Sequence, residues 1–220
     1  MHKTVQNLIN IQNLIKSKQS VLKNHGIIPK IIAVSKTFKI NHILPLIEYG
    51  HIDYGENKVQ EAVEKWSQIK TNNNKIKLHL IGKLQTNKVK ISIKLFDFIH
   101  SLDNEKLARK ISDEQKKQKI ETKLFIQVNI GNECQKNGIH VSKLEEFYNY
   151  CKELNLNIVG LMCIPPIDQD PEISFSRMNY LKKKMNFKEL SMGMSADYLD
   201  AIKYNSTFLR IGSDIFGSRN

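Results

Sequence analysis

The chain has 220 residues, 40% of them hydrophobic and 25% charged. These proportions are ordinary for a soluble globular protein, and the length fits one domain, residues 1–220, better than two. The formal net charge of +12 favours anionic partners. No apolar run approaches the roughly 18 residues of a membrane span, and no signal-peptide pattern opens the chain.

Residues 4–24 carry Val5, Leu8, Ile9, Ile15 and Leu22 among polar residues, a helical pattern ended by Gly26 and Pro29. Lys30 to Ser35 is a short, mostly apolar run, suited to a strand buried on both faces. A helix follows over 41–49. Further strands are predicted at Ile52–Gly55, Lys77–Ile81, Phe96–Ser101, Lys123–Asn129, Asn157–Met162, Glu189–Met192 and Thr207–Ile211. Helices are predicted between them near 57–70, 84–94, 103–119, 141–154, 172–186 and 195–203. Eight strands, each followed by a helix or a short helical turn, give an α/β protein: a single (β/α)8 TIM-type barrel with an extra N-terminal helix. An open doubly wound sheet is the alternative, but no GxGxxG follows the first strand.

The charge excess is spread along the chain. Its densest pieces, Lys83 to Lys94, Lys116–Lys117 and Lys182–Lys184, fall in helical stretches and read as solvated faces, so a nucleic-acid partner is not expected. Cys134, Cys151 and Cys163 form neither a CxxC pair nor a metal-ligand spacing with histidine. A reducing cytoplasm is the natural compartment, and no metal site is expected.

A barrel carries its active site at the C-terminal ends of its strands. The first strand ends in Ser35-Lys36-Thr37, with Val34 and Lys36 on one face. A lysine there either reaches solvent beyond the strand or is desolvated into an amine nucleophile toward aldehydes. Asn57, after Gly55-Glu56, offers an amide at the rim or caps the next helix. His79 stands in the third strand on the face of Ile81, ahead of the polar run Gly82 to Lys88; a satisfied core histidine is the plain alternative. Ser191-Met192-Gly193-Met194-Ser195 and Arg210-Ile211-Gly212-Ser213 close the last two strands. Glycine and serine in consecutive loops suit a phosphate site built from backbone N–H groups and hydroxyls, or two tight turns. Arg210, on the strand itself, needs an acceptor, for instance Glu56.

Taken in order, Ala33 to Thr37, Gly55 to Asn57, His79 to Lys88, Val128 to Ile130, Gly160 to Met162, Ser191 to Asp197 and Arg210 to Ser213 form a set that resembles the pyridoxal phosphate homeostasis proteins. This YggS/PROSC-like family comprises single-domain relatives of the alanine racemase barrel. The resemblance implies pyridoxal 5′-phosphate (PLP) as cofactor, held as an internal aldimine on Lys36. It implies Asn57 near the ring hydroxyl, His79 against the ring, and Arg210 facing the pyridine nitrogen. Ser195, Gly212 and Ser213 would hold the phosphate, with the backbone of Ser191, Met192 and Gly193 nearby. An arginine at the ring nitrogen disfavours the pyridinium and so weakens carbanion stabilisation. The family's racemase relatives also use a second domain, for which the chain leaves no room after the last barrel turn. The implied protein is therefore a monomeric carrier of PLP, with PLP-accepting apoenzymes as partners and no robust turnover; a PLP-dependent racemase-like enzyme is the alternative. Two positions depart from the family: Asn205 stands where glycine is usual, and Asp214 follows Ser213 where a small or apolar residue is usual.

Overall fold

A computed structural model describes residues 1–22, 28–133 and 137–217; Gly26, Cys134 and the far end of the first predicted helix lie outside them. Helix α1 (Lys3–Val21) comes first. Strand β1 (Lys30–Val34) follows, and the chain alternates onward through α2 (Ile40–Glu48), β2 (Asp53–Glu56), α3 (Val59–Asn72), β3 (Lys77–Leu80), α4 (Val89–Leu95), β4 (Phe98–Leu102), α5 (Glu105–Gln118) and β5 (Lys123–Asn129). Then come β6 (Ile139–His140), α6 (Leu144–Glu153), β7 (Ile158–Met162), α7 (Pro171–Lys184), β8 (Glu189–Met194), α8 (Tyr198–Lys203), β9 (Phe208–Ile211) and α9 (Ser213–Phe216).

Eight of the strands pair in parallel around a closed circuit, β1-β2-β3-β4-β5-β7-β8-β9. It closes where β9 meets β1, from Lys30 opposite Phe208 to Ala33 opposite Ile211. The expected (β/α)8 barrel with a leading helix is thus the fold. Strand β6 is an addition, two residues paired alongside β5 outside the circuit; so short a segment leaves no periodicity to read. The helices expected from 84 and 141 start later, because 3-10 turns at Thr86–Lys88 and Val141–Lys143 precede α4 and α6.

Alternation along each strand divides the apolar residues between two cores. Ile32, Val34, Phe98, Phe125, Met162 and Phe208 fill the barrel. Ile31, Ala33, Leu78, Leu80, Leu124, Ile126, Leu190 and Met192 face the other way, into the larger core beneath the helices. Helix α1 presents Val5, Leu8, Ile11 and Ile15 to that outer core. It is also tied to α9, where Asn7 Nδ2 donates to the Ile215 carbonyl at 3.0 Å.

Asn205 adopts φ 60°, so asparagine supplies the left-handed turn between α8 and β9 that glycine would otherwise provide. Lys116, Lys117, Lys183 and Lys184 are exposed, as a solvated face requires, but Lys182 is buried. No helix among the described residues is long and apolar enough to cross a membrane.

Candidate functional site

The C-terminal ends of β9, β1 and β2 lie side by side, with Ala33 opposite Ile211 and Val34 opposite Gly55. This register brings Lys36, Asn57, Arg210, Gly212 and Ser213 to one cavity of about 550 Å³. Lys36 continues the inward face of Ile32 and Val34. Its neighbours are fastened from outside the barrel. Lys65 Nζ, on α3, donates to the Ser35 carbonyl at 2.9 Å. Ser35 Oγ donates to Glu56 Oε1 at 2.7 Å, and the Thr37 amide donates to Glu61 Oε1 at 2.6 Å. Partial burial raises the Glu61 carboxyl, but hydrogen bonds from Lys65 and Thr37 outweigh it and hold the group low. Thr37 sits at φ 69°, a strained conformation for a β-branched residue.

Asn57 lies on the cavity wall. It is not the α3 cap; Lys58 holds that position and makes no side-chain cap bond. Gly82 explains how Asn57 is held in place. A Cβ on Gly82 would come within 2.3 Å of the Asn57 carbonyl oxygen, so only glycine lets the loop after β3 lie against this backbone.

At another part of the wall, Ser195, Gly212 and Ser213 meet. The amides of Gly212 and Asp214 both donate to Ser195 Oγ, each at a long 3.4 Å. These amides and the two hydroxyls form a donor set whose shared acceptor is one neutral hydroxyl, an arrangement that suits an anion. Gly212 has ordinary φ, and a Cβ there would meet Val34 at no less than 3.4 Å. Packing does not require glycine at this position; its effect is to leave the cavity wall bare. The exposed Asp214 carboxylate takes the Ser213 hydroxyl as donor at 3.5 Å.

Arg210 is 5% exposed, and its pairing with Glu56, considered from sequence, is not formed. Nη1 donates to Ser191 Oγ at 2.9 Å and Nη2 to the Cys163 carbonyl at 2.8 Å. Glu56 points outward instead, where Ser35, Lys65 and Trp66 donate to it. Burial lowers the Arg210 pKa, while Cys163 and Asp197 work against that.

Four expected site residues stand off the wall. Met192 points into the outer core. Gly193 has φ +92°, and a Cβ on it would press on Ala201 at 2.7 Å; this glycine serves the packing of α8 on β8. Ser191 and His79 are fully buried inside the barrel. His79 lies beneath the cavity wall rather than on it. It stacks on Phe98 with ring centroids 4.5 Å apart, and bonds through Nε2 to Asp53 Oδ1 at 3.0 Å and through Nδ1 to His100 Nε2 at 2.9 Å. Sequence reading passed over several wall residues, Ile81, Ile164, Met194 and Ala196 among them. Their apolar or small side chains carry no chemical signal.

Burial lowers the pKa of His79, against the pull of Asp53, and lowers that of His100 further, helped by His79 and Arg210. Both rings are neutral in the fold at neutral pH, whereas in the unfolded chain they gain protons below about pH 6.5. Stability is therefore intact above that pH and falls as the medium is acidified, by up to about 1.4 kcal/mol per pH unit for each ring. Urea unfolding between about pH 7.5 and 5.5 measures this, and His100→Gln should remove one proton's share of the slope.

A family model described as the alanine racemase N-terminal domain matches residues 7–220. The pyridoxal phosphate homeostasis protein of Pasteurella multocida (strain Pm70) is 34% identical over 226 residues, 98% of this chain and 97% of that one. The protein of the same name from Aquifex aeolicus (strain VF5) is 37% identical over 200 residues, 86% and 87% of the two chains. The chain belongs to the pyridoxal phosphate homeostasis protein family. Among solved structures, PipY of Synechococcus elongatus PCC7942 without PLP superposes with a TM-score of 0.80 at 30% identity, covering 92% of this chain and 100% of that one. The same protein with PLP bound gives 0.79 at 29% identity, with the same coverage. The cavity lies at the C-terminal ends of the barrel strands, with Lys36 on its wall.

Proposed function

We propose that this chain binds PLP covalently at Lys36 and acts in PLP homeostasis as a carrier rather than as an enzyme with robust turnover. The observation that carries this reading is the grouping in one cavity of a primary amine, a buried guanidinium and an anion-type donor set. The residues fit the cofactor's chemistry: PLP brings an aldehyde, a ring nitrogen and a phosphate, and as a cofactor it supplies an electrophilic carbon and an electron sink. Lys36 Nζ is the nucleophile for the aldehyde. The amides of Gly212 and Asp214, with Ser195 and Ser213, bind the phosphate. Arg210 only donates hydrogen bonds, so it keeps a ring nitrogen beside it unprotonated. Asn57 supplies an amide in the same wall for a ring substituent.

The alternative, a racemase-like enzyme, needs acid and base groups on opposite sides of a substrate carbon. Among the described residues lining the cavity, Lys36 and Arg210 are the only ones with strongly titratable side chains, which supports the carrier reading. Exchange of the Cα proton of amino acids in heavy water, compared with Lys36→Ala, separates the two. Cys151 and Cys163 are free and buried, with thiols pushed up to about 12 by burial. It is their unpaired state that fits a reducing, cytoplasmic setting, in which apoenzymes that take up PLP are the implied recipients.

The phosphate assignment is tested by Gly212→Ala. Its stability should stay within about 0.5 kcal/mol of wild type, because the added methyl meets only ordinary contacts. Its PLP affinity, measured by absorbance titration, should fall by about tenfold or more. Unchanged affinity would remove Gly212 from the phosphate site.

A further inference from the structure

Across the barrel interior runs a chain of hydrogen bonds between residues of five different strands. Arg210 Nη1 on β9 meets Ser191 Oγ on β8 at 2.9 Å, and Ser191 Oγ meets His100 Nδ1 on β4 at 2.9 Å. His100 Nε2 meets His79 Nδ1 on β3 at 2.9 Å, and His79 Nε2 meets Asp53 Oδ1 on β2 at 3.0 Å. Ser191, His100 and His79 are fully buried, and Arg210 and Asp53 are 5% and 8% exposed. The outer end, Asp53, begins β2 at the N-terminal mouth of the barrel; Arg210 opens on the cavity at the other.

The direction of every bond in the chain follows from its two ends. A carboxylate accepts, so His79 donates from Nε2; a neutral ring has one N–H, so its Nδ1 must accept. His100 then donates from Nε2 and accepts at Nδ1, which requires the Ser191 hydroxyl to be the donor there. That hydroxyl has a single hydrogen, so its oxygen is free to accept from Arg210, which can only donate. The two ends demand the same proton placement, with both rings as Nε2–H tautomers. The rings are also clamped by stacking, His79 on Phe98 at 4.5 Å and His100 on Phe125 at 4.2 Å between centroids.

We propose that Ser191, His100, His79 and Asp53 are positioning residues for Arg210, a one-way hydrogen-bond chain that fixes the plane of its guanidinium and keeps its remaining donors turned to the cavity. The proposal rests on the cofactor reading above, in which Arg210 meets the ring nitrogen. It accounts for these five polar residues inside the barrel, where each would be expensive without a partner. Both acceptors given for Arg210, Ser191 Oγ from the chain and the Cys163 carbonyl beside it, are neutral oxygens, so among the described residues these bonds orient the charge without neutralising it.

Two measurements test it. In the ligand-free wild type, nitrogen–proton correlation spectra of the ¹⁵N-labelled histidines near neutral pH should show His79 and His100 protonated at Nε2 and bare at Nδ1. A proton on Nδ1 of either ring overturns the one-way chain. With PLP as probe, Ser191→Ala should release the cofactor about tenfold faster, as expected on losing a hydrogen bond to a charged group, and should shift its visible absorption band. Asp53→Ala, at the far end of the barrel, should do the same to a lesser degree, and Asp53→Asn should restore wild-type behaviour, since its amide oxygen still accepts from His79. Should Ser191→Ala fail to fold, the Asp53 pair decides. Wild-type release and spectra in the folded variants overturn the proposal. Failure of the wild type to take up PLP would instead defeat the cofactor reading, with the tautomer spectra still judging the chain.

Discussion

Lys36→Ala should fold normally and lose covalent PLP altogether. After incubation with PLP and borohydride, the wild type should carry the reduced cofactor on Lys36, found by mass spectrometry of its peptides, and the variant should carry none. The difference also appears in stability. A ligand held by the native state alone adds about 2.7 kcal/mol at ~100 times its Kd, and for a chain of this length each kcal/mol moves Tm by roughly 2–4 °C. PLP should therefore raise the wild-type Tm by several degrees and leave Lys36→Ala almost unmoved. The side chain is half-buried and stands beyond the strand end, so its removal costs the fold little. Equal trapping in the two proteins, on some other lysine, would sink the assignment of Lys36.

The second large effect lies outside the barrel. Glu56 is fully buried and accepts at Oε1 from Ser35 Oγ at 2.7 Å, from Lys65 Nζ at 2.9 Å and from Trp66 Nε1 at 2.9 Å. Glu56→Ala strands a largely buried ammonium and an indole N–H. Breaking a buried ion pair from one side costs about 3–5 kcal/mol; here the lower end is expected, because Lys65 keeps Glu61 at 3.0 Å. Thermal unfolding should show Tm lowered by roughly 6–12 °C. Glu56→Gln, which retains an acceptor for Trp66, should lose less. A loss below about 1 kcal/mol in Glu56→Ala would mean that Lys65 is solvated and the group holds nothing in place.

The barrel was legible because its strands are short apolar runs, such as Lys30 to Val34, separated by helical periods. The inward face was legible too: Val34 and Lys36 share it, as do His79 and Ile81. Depth along the barrel was not. Two residues of alternation separate His79 from Ile81, and that step takes the chain from the buried interior to the cavity wall. Periodicity gives the face a side chain points to and is silent on the layer it reaches. His100 was missed for a related reason. Its partners Ser191 and His79 lie 91 and 21 residues away in the chain, and nothing local marks such pairs. A signal was present in principle, since a histidine in the wholly buried strand Phe98–Leu102 needs a polar partner. Gly193 was read as part of an anion loop because the Ser191 to Asp197 motif was taken whole; its neighbours Ala201, Leu209 and Tyr198 show that packing also demands glycine there, which no local pattern announces.

Thr37 carries a consequence for affinity. A residue held at φ 69° by the Glu61 carboxylate is restrained in its backbone, and Ser35 on the other side is tied down through both its carbonyl and its hydroxyl. The conformational entropy of this turn, about 1–2 kcal/mol per residue, is surrendered when the protein folds rather than when it meets its ligand. Docking on Lys36 therefore has less of this turn left to order. Such preorganisation shows as slow release, the property that a keeper of a reactive aldehyde needs.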